Sequence, residues 1–147
     1  MITIKPVYKE NHFKPETNRK DFVDFMFKYI EDCGDSRELI DKSVNYALSE
    51  SKTMGGMVLI ALENNKLVGG SIVLNTGMSD YIPENLLVYG AVHKDYRKRG
   101  VIRKLLEKHF ELSPGDFKMH VDFDNPSIDY FENLGFEKKY FDLRYKR

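Results

Sequence analysis

The chain has 147 residues, 41% of them hydrophobic, with ten Phe and nine Tyr, enough for one well-packed domain and too little for two. Lys plus Arg equals Asp plus Glu at 23 each, so no global field draws the molecule onto nucleic acid, and any anion site must be a local concentration of charge. No stretch approaches the ~18–20 apolar residues of a membrane span, and Met1–Pro6 carries no apolar leader core.

In chain order, Thr3–Tyr8 is expected to be a first strand. From Asp21 the period changes: Phe22, Val23, Phe25, Met26, Tyr29 and Ile30 recur at helical spacing, with Thr17 or Asn18 available as cap and Gly34 as stop. The single cysteine, Cys33, lies beside that stop and cannot close an internal disulfide, which fits a reducing, cytoplasmic setting. A second helix is expected from about Ser36, with Leu39, Ile40, Val44, Ala47 and Leu48 on one face. Met57–Leu62 and Lys66–Leu74, joined by Asn64-Asn65, read as a hairpin. After a polar loop containing Pro83, Leu86–Val92 is apolar on both faces, as a strand covered on both sides is. A helix from about Gly100 turns Ile102, Leu105, Leu106, His109 and Phe110 inward and stops at Ser113-Pro114-Gly115. Phe117, Met119, Val121 and Phe123 alternate with polar residues as in a half-buried strand, Ile128–Leu134 reads as a short helix ended by Gly135, and Phe136–Tyr145 as a last strand. No repeat, linker or low-complexity tract divides this order, so residues 1–147 form one domain: a mixed α/β (α+β) layer with helices on both faces.

The chemistry concentrates where the central strand runs into the following helix: Val92-His93-Lys94-Asp95-Tyr96-Arg97-Lys98-Arg99-Gly100-Val101-Ile102. Cations at a helix N-terminus oppose its dipole by ~0.3–1 kcal/mol each. A bound polyanion reverses the sign, because the unpaired N–H groups and the dipole both favour negative charge. Gly100 gives a spot without Cβ where backbone approaches a phosphate. Gly90 interrupts an otherwise solid strand, as at a bulge or where a ligand lies against backbone; a packing glycine is the other reading.

Gly90-Ala91-Val92, then Tyr96-Arg97-Lys98-Arg99-Gly100-Val101-Ile102 and Leu105-Leu106, resemble the acetyl-CoA motif of GNAT acetyltransferases, Arg/Gln-x-x-Gly-x-Gly/Ala. Asn125-Pro126-Ser127 with Tyr130-Phe131-Glu132-Asn133-Leu134-Gly135-Phe136 is similar to the family's later Asn…Tyr…Gly-Phe element. The resemblance implies a mostly antiparallel central sheet whose two central strands splay, with acetyl-CoA as cosubstrate in the V between them. Backbone at Gly90, Ala91 and Val92 would meet the acetyl and pantetheine groups. The N–H groups of the stretch Arg97, Lys98, Arg99, Gly100, Val101, Ile102 and Arg103 would hold the pyrophosphate, with Asn125 and Phe131 beside the pantetheine arm. The implied activity is acetyl transfer to a primary amine by direct attack in a ternary complex, with a backbone N–H polarising the acetyl carbonyl.

Three departures bear on this. Ile102 stands where Gly or Ala is usual, and the Asn125-to-Gly135 spacing is one residue shorter than the common form. Phe131 stands where the family's general acid sits, and a phenyl ring cannot protonate a thiolate. Tyr130, next door, is the candidate acid, with water as the alternative, and Glu84 ahead of the central strand is the candidate base. His120 and Asp122 share a polar strand face that lines the cleft or meets solvent, and His93 is expected at the surface. The acidic run Glu31, Asp32, Asp35, Glu38 and Asp41 falls in the segment that in this family helps bind the acceptor, and hints at a cationic one. No metal, nucleic-acid or membrane partner is expected, the acceptor is a small molecule or a peptide amine, and the assembly is a monomer or homodimer. An acetyl-CoA-binding sensor with little turnover is the alternative, and a nucleic-acid binder using Lys94–Lys104 is weighed against the zero net charge.

Overall fold

Asn64 and Asn65 both adopt left-handed backbone, φ 51° and 61°, and this two-residue turn reverses β2 (Gly56–Glu63) into β3 (Lys66–Asn75). That hairpin is the middle of a five-stranded sheet ordered β1-β2-β3-β4-β5, with β1 at Thr3–Val7, β4 at Asn85–Val92 and β5 at Phe117–Met119. The first four strands are antiparallel, and β4 and β5 are parallel. The computed structural model describes residues 1–30, 35–49 and 53–147; Glu31, Asp32, Cys33 and Gly34 lie outside them.

Both faces of the sheet are covered. α1 (Arg19–Tyr29) starts at Asn18, whose side chain accepts from the Asp21 N–H, and α2 (Arg37–Ala47) at Ser36, which accepts from the Leu39 N–H. These helices bury Phe22, Met26, Ile40 and Val44 against Val58, Ile60 and Ile72. Val101 and Leu105 of α3 (Val101–Leu112) pack on Met57, Leu59 and Val68 on the other face. Adjacent glycines in β3 let the helices come down on both sides: a Cβ on Gly69 would meet Val101 Cγ1 at 2.7 Å, and one on Gly70 would meet Phe22 Cε2 at 2.9 Å.

Several sequence expectations change. Leu39 and Phe110 are exposed, because the inward face of each helix is narrower than its apolar stripe. β5 ends at Met119 instead of reaching Phe123, and residues 136–147 form no strand. A ladder needs an edge to pair with, and three residues of β5 offer too little for a ten-residue partner. Tyr140, Phe141, Leu143 and Tyr145 stay exposed. α4 (Ile128–Asn133) is present, followed by Gly135 at φ 110°.

The closed end of the β4–β5 pair is held by side chains. Asn85, 2% exposed, donates through Nδ2 to the carbonyls of Pro114 (2.9 Å) and Asp116 (3.1 Å). Glu84 Oε2 accepts from the Asp116 N–H at 3.1 Å. Asn85→Ala deletes both Nδ2 bonds at a buried site and is expected to destabilise the protein by about 2–3 kcal/mol in urea unfolding. A loss below about 0.5 kcal/mol would show that the clamp contributes nothing.

Candidate functional site

β4 and β5 pair only over Asn85–Leu87 and Phe117–Met119. Where that pairing stops, the β3–β4 register shifts, with Ile72 opposite Tyr89 and Val73 opposite Leu87, so Val88 is the extra residue of a bulge. A bulge bends the strand that carries it. From Val88 onward β4 has no neighbour on its β5 side, and a cleft of about 160 Å³ opens there, lined by Val88, Tyr89, Gly90, Ile102, Asn125 and Phe131 among others. Backbone groups of β4 turned away from β3 face this split. Ala91 and Val92 are buried, so their side chains belong to the core and only their backbone is available to a ligand.

At the open end β4 passes through His93 and a short 3-10 turn, Lys94–Tyr96, into the start of α3. Lys98 and Gly100 both sit in the left-handed region (φ 62° and 77°), bracketing Arg99. Turns of this kind gather N–H groups into a concavity that suits an anion. Gly100 is the N-cap of α3, with no side-chain cap and no acidic residue in the first turn. A Cβ added there would meet nothing within 4 Å, so the space above the helix start is open. Between positions 94 and 104 stand six cations and one anion. Some of that charge is already engaged. Arg97 Nε donates to the Val92 carbonyl, Arg99 bridges to Glu63 at 3.3 Å and lies over the Tyr96 ring, and Arg103 pairs with Glu107.

Ile102 turns its side chain into the core and cleft wall: its Cδ1 lies 3.4 Å from where a Gly90 Cβ would stand. The branched residue therefore leaves the backbone of the helix start uncovered, and the motif departure is absorbed by packing. Asn125 Oδ1 accepts from the Ser127 N–H (2.8 Å), which fixes that wall of the cleft.

The proton-transfer candidates lie elsewhere. Phe131 lines the cleft, whereas Tyr130 is outside its lining and 41% exposed, edge-on to Phe131. Glu84 is at the closed end, its carboxylate occupied by the Asp116 N–H and packed against Gly115. His120 does line the cleft; burial and Lys118 push its imidazole down, and Asp142 and Arg144 engage its ring nitrogens at 3.3 and 3.4 Å. His93, expected at the surface, packs between Tyr29 and Tyr96, and burial lowers its pKa. On the other wall Tyr89 donates its hydroxyl to Asp35. Sequence reasoning turned His109 inward, as it is found, but missed Asn85 and the buried Ser71 that His109 meets; the one signal for Ser71 was a serine in an otherwise apolar strand.

Comparison with curated protein sequences finds no match. Among solved structures, the chain is similar to a possible acetyltransferase from Clostridium difficile 630, with 18% identity, a TM-score of 0.70 and coverage of 100% of this chain and 98% of that one. It is also similar to an aminoglycoside N-acetyltransferase in complex with CoA (15%, 0.73, 100% and 95%). An aminoglycoside antibiotic 6′-N-acetyltransferase from Acinetobacter haemolyticus matches at 17% identity, a TM-score of 0.64 and coverage of 99% and 97%. These likenesses show the fold: an open mixed sheet with a split between its central strands. A family profile described as an acetyltransferase (GNAT) domain matches residues 54–138, which span the hairpin, β4, the Gly100 turn, α3 and α4. With more than half of its length matched by that profile, the chain belongs to the GNAT acetyltransferase family.

Proposed function

We propose that this protein is an acetyl-CoA-dependent N-acetyltransferase that passes an acetyl group to a primary amine by direct attack in a ternary complex. The observation that carries the reading is the uncapped start of α3, with left-handed Gly100, open space above it and cations on both sides. Acetyl-CoA brings a diphosphate and an activated thioester. The N–H groups from Lys98 to Arg103 bind the first; Gly90, Ala91 and Val92 hold and polarise the second through backbone, with Asn125 and Phe131 as the facing wall.

On the acceptor side, among the described residues of the acidic run, Asp35 reaches the cleft through the hydroxyl of Tyr89, which lines it. A carboxylate there draws a cationic amine. Glu84 and Tyr130 are engaged or placed away from the cleft, so the ammonium proton leaves through water and the thiolate is protonated from solvent. Glu84→Gln and Tyr130→Phe are each expected to change turnover less than about threefold and to leave the pH–rate profile unaltered. A loss above about a hundredfold would return that residue to the chemistry.

A thiol-release assay over polyamines, amino acids, peptides and an aminoglycoside tests the activity; aminoglycosides are the acceptor class named for two of the similar structures. Phe131 in the cleft favours one second reading, a CoA-binding sensor with no turnover. Stabilisation by CoA with no thiol released from any amine would select that reading.

A further inference from the structure

Ser71 and His109 form a polar pair inside an apolar core. Ser71 lies in mid-β3, 2% exposed, and His109 in the last turn of α3 is fully buried. Ser71 Oγ and His109 Nε2 are 2.7 Å apart, and among the described residues His109 Nδ1 has no hydrogen-bond partner. The contact can be made in two ways. If Ser71 donates, the ring proton sits on Nδ1 as a buried donor facing nothing. If Nε2–H donates to Ser71, Nδ1 is left with only an unmatched lone pair, and the unmatched donor becomes the Ser71 O–H at the cleft wall, where an acceptor can reach it; that is the smaller penalty. The imidazolium form is suppressed, because burial pushes His109 down to about 4. The favoured arrangement therefore leaves the Ser71 O–H as a donor still seeking an acceptor.

That hydroxyl borders the cleft. Its cross-strand partner is Gly90, and residues directly opposite in a sheet project on the same face, so a side chain at 90 would stand beside it. A Cβ at Gly90 would touch only Ile102 Cδ1, so this side of the cleft is open toward Ser71. Among the described residues that line the cleft, two carry hydroxyls: Tyr89 donates to Asp35, and Ser71, in the favoured arrangement, accepts from His109 and keeps its hydrogen available. Phe131, which also lines the cleft, brings no polar side-chain atom to it.

We propose that Ser71, oriented by His109, donates a hydrogen bond to the coenzyme A sulfur and stabilises the charge that grows there as the thioester is cleaved. The inference rests on the reading of the cleft as the acetyl-CoA seat. The amine nitrogen forms the new C–N bond, the C–S bond breaks, and its electron pair stays on sulfur as the thiolate. Ser71 keeps its proton and shares it. The surplus proton of the amine passes to water, and the departing thiolate takes one from water. His109 is a positioning residue, since it holds the serine oxygen as an acceptor and so turns the hydroxyl hydrogen outward.

The test is an ultraviolet titration of the thiol of CoA bound to wild-type protein and to Ser71→Ala, alongside calorimetry with CoA and desulfo-CoA. The bound thiol should ionise at a lower pH than free CoA, and Ser71→Ala should remove that shift, about tenfold in the ionisation constant. Desulfo-CoA should bind both proteins alike. In turnover, Ser71→Ala should lower kcat about ten- to a hundredfold with KM for acetyl-CoA nearly unchanged, as for loss of a charge-assisted bond made in the transition state. His109→Phe, which keeps the serine and removes its donor, should lower kcat in the same direction. An unchanged thiol titration in Ser71→Ala overturns the inference. So does a wild-type bound thiol that ionises no more readily than free CoA, a measurement that does not depend on any variant folding. Binding of neither CoA nor desulfo-CoA to wild type sinks the acetyl-CoA reading itself, and this inference with it.

Discussion

Gly100→Glu is expected to abolish the thermal stabilisation that CoA gives the wild-type protein while leaving the fold in place. The position has φ 77° and open space where a Cβ would stand, so the fold tolerates a side chain there at the strain of a left-handed residue, about 1 kcal/mol. What it does not tolerate is a diphosphate in the same space. A carboxylate at the helix start meets the dipole in the ligand's place and repels it as well. At a ligand concentration of about 100 times Kd, binding stabilises by about 2.7 kcal/mol, a rise of roughly 5–10 °C for a chain of this size. The variant should show a rise of less than about 1 °C in the same scan, with an unchanged far-ultraviolet spectrum. Retention of the full shift would place the pyrophosphate elsewhere and remove the main support for acetyl transfer.

The second large effect is the part of the acid limb of stability that His109 contributes. Burial lowers His109 from 6.5 to about 4, and no charged neighbour contributes to that shift. In the unfolded chain the imidazole takes up its proton near pH 6.5; in the native protein it does so only near pH 4. Between those values the unfolded state binds more protons, so stability falls as pH is lowered. The slope is about 1.4 kcal/mol per pH unit and the total about 3 kcal/mol once both states are protonated. Above pH 6.5 this group contributes no pH dependence. Urea unfolding of wild type and His109→Phe from pH 7 to pH 4 is the check. The wild type should lose about 3 kcal/mol more than the variant, whatever their difference at neutral pH. Parallel curves would mean that His109 titrates normally and is reached by water.

Much of this was legible in the sequence where the signal is local. The Asn18 and Ser36 caps and the Asn64-Asn65 turn depend on residues a few positions apart, and each formed as its chemistry requires. The strand that carries Gly90 and the turn at Gly100 were readable because strand, turn and helix are contiguous, although the bulge expected at Gly90 falls two residues earlier, at Val88. What depended on distant partners was not. The aromatic-rich pattern of Phe136–Tyr145 says that a segment could pair, but not that an edge waits for it, and β5 ends too soon to supply one. Glu84 read as a free carboxylate because its partner, the Asp116 N–H, is 32 residues away and a backbone group. Ser71 and His109 are 38 residues apart, and only the packing of α3 on β3 brings them together.

The clamp of Glu84 and Asn85 on the Pro114–Asp116 turn acts as the fulcrum of the split. Three residues of ladder join the two arms, so a small rotation at that pivot becomes a larger change of gap farther along the cleft that Gly90 and Asn125 help to line. On the proposed reading of the cleft, cofactor affinity is expected to depend partly on leverage from this pivot, at the end of the strand pair away from the proposed seat. Substitutions in the 114–116 turn can loosen or tighten the grip without altering a single contact surface.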